Sequence, residues 1–291
     1  MIKTLVVASA HELHTLEAVY KAAADMKLEY LLVGDAERIK HLSDDLGYMP
    51  VSGSIIEAAD EAECARKAVS AVRSLNSGVL VKGMMETATL LSMVLNKDDG
   101  IRDSQTLSHI AVLEVPGYHK LVSVTDGGMC INPTLSQKAD IVRNAVKFYG
   151  GLGINGVKIA ALSASEAVSS KIQESVDAAE LVKMCGEGEL GDCLLEGPLS
   201  FDIAVSGKAA GVKGFESRVS GDVDILLVPN IITGNILCKC LIHWGNAVMA
   251  GAVLGAKVPI VLASRGASTL EKLRSIAVCV GADLSSVQIS T

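Results

Sequence analysis

Aromatic side chains are scarce in this chain: phenylalanine, tyrosine and tryptophan make up 3% of 291 residues, although 49% of the residues are apolar. A core filled by alanine, valine, leucine, isoleucine and glycine favours helices layered on a sheet over a β-sandwich. Basic runs are absent and the net charge is −7, which argues against nucleic acid or an anionic membrane as the main partner. An anionic ligand must then be held by local cations against the overall field. The seven cysteines, at 64, 130, 185, 193, 238, 240 and 279, form no CxxC pair, so spacing indicates neither a zinc site nor a redox motif. A reducing, cytoplasmic setting fits them, with Cys238 and Cys240 expected on a buried helix. Met1 to Ala8 reads as a strand, not a signal peptide, and the small apolar stretch Ala247 to Ala256 is too short to span a bilayer. GxxxxGK[ST] and GxSxG are both missing, which removes a P-loop nucleotidase and leaves a hydrolase nucleophile without support. Gly151-Leu152-Gly153-Ile154-Asn155-Gly156 follows a helix and precedes a strand, the reverse of a dinucleotide fingerprint.

What is present is an alternation of strand-like and helix-like runs, the pattern of an α/β fold. Leu5 to Ala8 and Tyr30 to Asp35 read as strands, each followed by a helix, over Glu12 to Met26 and Ala36 to Leu46. Ile56 to Leu75 carries a helical pattern throughout, and Val79 to Gly83 is a buried strand before a helix over Glu86 to Leu95. Ser108 to Glu114 and Lys120 to Asp126 flank Pro116-Gly117, which predicts an antiparallel pair in a mixed sheet. A helix from Ser136 to Tyr149, a strand from Val157 to Leu162 and a helix from Gln173 to Cys185 follow. Cys193 to Glu196 is a short strand before a Gly197-Pro198 turn. Two later strands are the most informative. Leu226-Leu227-Val228 runs into Pro229-Asn230 and a helix start at Thr233-Gly234-Asn235, and Val258 to Ala263 ends at Ser264-Arg265-Gly266. Buried parallel strands deliver ligand-binding loops at their C-terminal ends.

Each candidate residue has a functional and a structural reading. Ser264-Arg265 is either an anion clamp of hydroxyl and guanidinium or a helix cap with a surface arginine. Glu271 is either a general base or a partner of Lys272, Arg274 or Arg265. Lys82, at a strand end, meets phosphate or solvent. Ser108-His109 offers an acid/base group or a hydrogen-bonded structural histidine, and Asp202 caps a helix or lines a site. His11 and His14 belong to the first helix pattern, and His119 to a turn; no Asp, Glu or His spacing matches a metal site.

Several segments, in this order, resemble the phosphate acetyl/butyryltransferase family, most closely its butyryltransferases. They are Val81-Lys82-Gly83, Ser108-His109-Ile110-Ala111-Val112, Lys138-Ala139-Asp140-Ile141-Val142 and Glu196-Gly197-Pro198-Leu199-Ser200-Phe201-Asp202, then Val228-Pro229-Asn230 with Thr233-Gly234-Asn235-Ile236-Leu237, and Gly255 to Leu262 with Ser264-Arg265. The resemblance implies a two-lobed, three-layer α/β/α architecture like that of isocitrate and isopropylmalate dehydrogenases, with the active site in the interlobe cleft. It implies residues 1–133 plus 260–291 in one discontinuous lobe and 134–259 in the other. The implied reaction is reversible transfer of a short acyl group, butyryl by the nearest resemblance, between CoA and inorganic phosphate. CoA is then a substrate, no bound cofactor or metal is called for, and a homodimer or larger homo-oligomer is expected. Ser264 matches the serine at the thiol and reacting carbonyl, Arg265 the phosphoryl-binding arginine, and Glu271 stands where acetyltransferases place an aspartate base. The arginine that acetyltransferases carry after the Lys-Gly strand is replaced by Thr87-Ala88-Thr89-Leu90-Leu91, so Lys82 or Arg102 is the candidate cation. Gly234, Asn235, Ser108 and His109 are the remaining candidates for substrate binding. Two alternatives stay open within the family: a phosphate acetyltransferase, or an inactive CoA-sensing relative. A dehydrogenase of the same architecture needs clustered metal-binding aspartates, for which Asp222 and Asp224 are a poor match.

Overall fold

The computed structural model describes residues 3–75, 77–263 and 267–282. The chain forms two compact units, one from residues 1–103 with 250–291, the other from 104–249.

The first unit begins with strand β1 (Thr4–Ala8), helix α1 (Leu13–Met26), β2 (Glu29–Gly34), α2 (Ala36–Asp45), β3 (Ile55–Glu57), α3 (Glu61–Arg73), β4 (Gly78–Lys82) and α4 (Thr87–Val94). The stretch expected to be helical from Ile56 to Leu75 starts instead with β3, which pairs in parallel with β2. Pairing to β2 overrides the local helical pattern there, and Asp60 then caps α3 through Glu63 N–H. The second unit contains β5 (Ser108–Glu114), β6 (Val122–Thr125), α5 (Leu135–Gly151), β7 (Val157–Leu162), α6 (Gln173–Gly186), β8 (Cys193–Leu199), α7 (Phe201–Val205), α8 (Gly207–Val212), β9 (Ile225–Leu227) and α9 (Ile231–His243). The chain returns to the first unit through β10 (Val248–Leu254), β11 (Ile260–Val261) and α10 (Thr269–Val280).

In the first unit the strands run in the order β3-β2-β1-β4-β11-β10, parallel except for the β10–β11 pair. Leu5, Leu32, Leu80 and Ile260 fill its centre without exposure, and α10 packs beside α1. Lys272 of α10 is almost buried and pairs with Glu12, the N-cap of α1, at 2.5 Å. The second unit orders its strands β5-β6-β9-β7-β8, with β5 and β6 antiparallel as expected and the others parallel. β6 bonds to β9, so the β5–β6 hairpin belongs to this unit and the break falls after 103 rather than after 133. β10, read in the sequence only as a small apolar stretch, is a strand because β11 supplies its partner.

Two further expectations are corrected by tertiary context. Gly197-Pro198 does not end β8; the strand runs through it to Leu199. In this unit β8 pairs only with β7, and a proline without an N–H is tolerated on such an outer strand, where the register also shifts. Helix α9, expected to be buried, is a surface helix: only Gly234 and Cys238 are buried, and Ile232 and Ile236 are 63% and 56% exposed.

Candidate functional site

The segments singled out in the sequence collect at strand ends. In the second unit, the loop leaving β6 is organised by Asp126, which is 1% exposed. Its Oδ1 accepts from the N–H groups of Gly128 and Met129, both at 2.7 Å, and its Oδ2 from those of His109 at 2.9 Å and Cys130 at 3.3 Å. One carboxylate thereby satisfies backbone donors from both the loop and the start of β5. Thr125 Oγ1 adds a bond to the His109 carbonyl at 2.9 Å. The helix start at Gly234 closes on the same loop. A Cβ on Gly234 would stand 2.6 Å from Gly127 Cα, so only glycine permits the first turn of α9 to approach this closely. A Cβ on Gly128 would meet the His109 ring at 2.9 Å.

His109, Asp126 and Gly234 are therefore brought together. Burial pushes the His109 pKa down and the Asp126 charge opposes that only in part, so the imidazole is neutral near neutral pH. Its Nδ1 is buried without a partner, leaving an acceptor or donor to be satisfied. Burial first, and then the Asp126 charge, raise the neighbouring Cys130 thiol to about 12, so it is not a nucleophile. Ser108 turns the other way: it is fully buried, and its Oγ accepts from Asn144 Nδ2 at 3.1 Å in the core. Asn235 is exposed on α9, and Asn230 is the N-cap of that helix, its Oδ1 accepting from Thr233 N–H at 3.0 Å.

Beside this knot the second unit holds a cavity of ≈ 440 Å³ at the C-terminal ends of β7, β8 and β9. Leu162, Phe201, Pro229 and Leu237 supply its apolar lining, and Glu174 is the one charged residue among those lining it. Ser163 Oγ, also at the cavity, is buried without a partner. Phe201 and Leu237 were not singled out from the sequence, although both lie inside segments that carry the family resemblance; their convergence needs the fold.

In the first unit Lys82 ends β4 at 5% exposure, and its ammonium donates to the carbonyls of Met85 at 3.0 Å and Gly83 at 3.3 Å. β11 runs parallel to β4 with Val261 opposite Val81, so the chain leaving β11 emerges at the Lys82 end of the sheet. Ser264 and Arg265 follow it and lie outside the described residues. Glu271 is exposed in the first turn of α10, where it completes a capping box: Ser268 N–H and Oγ donate to its Oε2 at 2.7 and 2.9 Å. It does not pair with Lys272, whose ammonium is taken by Glu12. Arg102 is exposed and its backbone bridges to Ala256. Asp202 is paired with Lys213 at 3.0 Å. Asp222 is held below the usual carboxylate range by Lys120, Lys158 and His119, and Asp224 pairs with Lys120 at 2.6 Å, so lysines occupy both aspartates. No group of three metal-binding side chains occurs among the described residues.

Comparison with known proteins adds what geometry alone does not. Residues 52–280 match the family model described as phosphate acetyl/butaryl transferase. This chain belongs to that family. Its relatives include the probable phosphate butyryltransferase of Bacillus subtilis (strain 168), 40% identical over 96% of this chain and 92% of that protein. The phosphate acetyltransferase of Thermotoga maritima is 37% identical over 94% of this chain and 93% of its own length. Among solved structures, a branched-chain phosphotransacylase from Enterococcus faecalis V583 superposes with a TM-score of 0.82 at 33% identity, covering 96% of this chain and 98% of that one. A 4-hydroxythreonine-4-phosphate dehydrogenase from Klebsiella pneumoniae shares the fold alone, at TM-score 0.58 and 14% identity over 96% of this chain and 98% of that one. The dehydrogenase-like α/β architecture that the resemblance implies is the one observed. No described helix is long and apolar enough to cross a membrane.

Proposed function

We propose that this phosphate acyltransferase-family protein moves a short acyl group, butyryl in preference to acetyl, between CoA and inorganic phosphate, giving acyl phosphate and free CoA. The observation that carries the preference is the ≈ 440 Å³ cavity of the second unit. Its apolar walls and the Glu174 carboxylate disfavour phosphate and suit an uncharged acyl-thioester end. It adjoins the Pro229-Asn230 loop and α9, within the segment that carries the family match. Phosphate binding falls to Arg265 and Lys82, contact with the reacting carbonyl to Ser264, thiol deprotonation to Glu271, and substrate positioning to Gly234, Asn235 and His109; Ser108, expected beside them, is turned into the core and bonded to Asn144. CoA serves as substrate, and the chemistry calls for no bound cofactor.

Phosphate-dependent thiol release from acetyl-, propionyl-, butyryl- and branched acyl-CoA is the test. Two further methylenes buried at about 0.8 kcal/mol each give butyryl-CoA a kcat/KM roughly tenfold above acetyl-CoA. A panel led by acetyl-CoA would make the protein a phosphate acetyltransferase. No turnover on any acyl-CoA by folded protein, with CoA still raising its Tm, would leave the CoA-sensing alternative.

A homo-oligomer in the cytoplasm is part of the same proposal. Ile232 and Ile236, 63% and 56% exposed, stand one turn apart on α9, and Trp244, 86% exposed, caps the same helix, leaving exposed apolar surface suited to a second copy. Sedimentation at micromolar concentration is expected to give a species larger than the 30.3 kDa chain, and a single monomeric boundary would remove this part.

A further inference from the structure

Cysteine spacing shows no redox motif, yet the fold assembles a thiol pair. Cys185 sits in the last turn of α6 and Cys193 opens β8, and the loop between them turns back through Gly188 and Gly191 at φ +79° and +88°. Their Sγ atoms lie 3.7 Å apart, and Cys185 Sγ also donates to the Cys193 carbonyl at 3.4 Å. Both residues are half-buried. No other two cysteine sulfurs touch among the described residues. Cys64, Cys238 and Cys279 are buried, Cys130 donates to the Leu107 carbonyl, and Cys240 is two residues from Cys238 on one helix, a spacing that does not place side chains face to face. A disulfide needs its sulfurs at about 2.05 Å, so two side chains share an approach of roughly 1.7 Å.

We propose that Cys185 and Cys193 form a reversible thiol/disulfide modification site, oxidised by low-molecular-weight disulfides, that fastens β8 to α6. The Cys185 thiolate attacks one sulfur of the small disulfide, and the other sulfur leaves as a thiolate. Cys193 then loses its proton and attacks the Cys185 sulfur of the mixed disulfide, expelling the second small thiolate. Two protein thiols give up two electrons and two protons, and one small disulfide becomes two small thiols. Burial, with the Cys185 sulfur and Asp192 beside it, raises the Cys193 thiol to about 12, which disfavours Cys193 as the first nucleophile, and at 3.7 Å its sulfur is placed to resolve the mixed disulfide on Cys185. The bond closes a short loop beside β8, whose only partner strand in this unit is β7, and constrains the unfolded chain. It concerns neither the cavity nor the acyl-transfer reading, so either can fail without the other.

Oxidised glutathione added to the full-length protein, with free thiols then alkylated, tests this. Trypsin leaves both cysteines in the peptide 184–208, so Glu-specific cleavage at Glu187 and Glu189 is used to separate them. The expected result is an intact mass lower by about 2 Da before alkylation, a 185–193 cross-link formed before any other, and a Tm higher by roughly 5 °C, all reversed by dithiothreitol. Cys193→Ser is expected to stop at a glutathione adduct on Cys185 with no Tm rise. A stable adduct on the wild-type protein, a different cross-link formed first, or no reaction while the protein remains folded would each overturn the proposal.

Discussion

Asp126→Ala is expected to lower the stability of the second unit by about 3–5 kcal/mol, the range for removing a buried charge that satisfies several partners. The carboxylate accepts four backbone N–H bonds, and its loss leaves the donors of His109, Gly128, Met129 and Cys130 without a partner. Water cannot readily replace it, because Asp126 is buried and the α9 turn at Gly234 closes on the adjoining loop. His109 also loses the charge that opposes its desolvation, so its pKa falls further and the ring stays neutral. Asp126→Asn keeps one acceptor oxygen and is expected to lose less. Urea denaturation followed by a probe in the second unit measures both variants. An Asp126→Ala midpoint equal to wild type would sink the idea that this carboxylate holds the loop.

Ser264→Ala is expected to reduce turnover by roughly 10²–10³ at every pH, because it removes a transition-state hydrogen bond worth about 2–4 kcal/mol in comparable sites. Glu271→Gln behaves differently if Glu271 is the base. Its deficit is largest near neutral pH and shrinks as pH passes the free thiol value of about 8.5, where solvent supplies thiolate. The capping box makes this comparison clean: glutamine at the same helix position also reaches back to the Ser268 N–H, so the substitution removes the charge and keeps the cap. Arg265→Lys, which lacks the planar fork, is expected to cost at least about tenfold with phosphate. The measurement is a pH–rate profile with acyl phosphate and CoA. A Glu271→Gln enzyme that loses nothing at pH 7 leaves Glu271 as a cap alone and moves the search for a base to the neutral His109, since Asp126 is saturated by backbone donors and Asp202 is paired with Lys213. A Ser264→Ala enzyme of unchanged turnover removes Ser264 from the mechanism.

Features set within a few residues were legible in the sequence. The alternation of strands and helices and the Pro116-Gly117 hairpin depend on local periodicity, turn chemistry and apolar runs, and the structure has them where the residues predict. The family resemblance was legible for the same reason, since it rests on short ordered segments. Tertiary structure decided whatever depends on partners distant in the chain. β3 and β10 are strands because β2 and β11 stand beside them, and Gly197-Pro198 continues a strand because β8 lies outside β7 in its unit. Asp126 reads in sequence as the end of a strand, but burial and four converging N–H groups make it the centre of a loop. Cys185 and Cys193 read as unrelated cysteines until α6 packs on β8. Local sequence pattern selects backbone conformation over a turn or a strand, whereas burial, desolvation and side-chain meeting are set by which faces the packed sheet brings together, so chemical environments had to come from the fold.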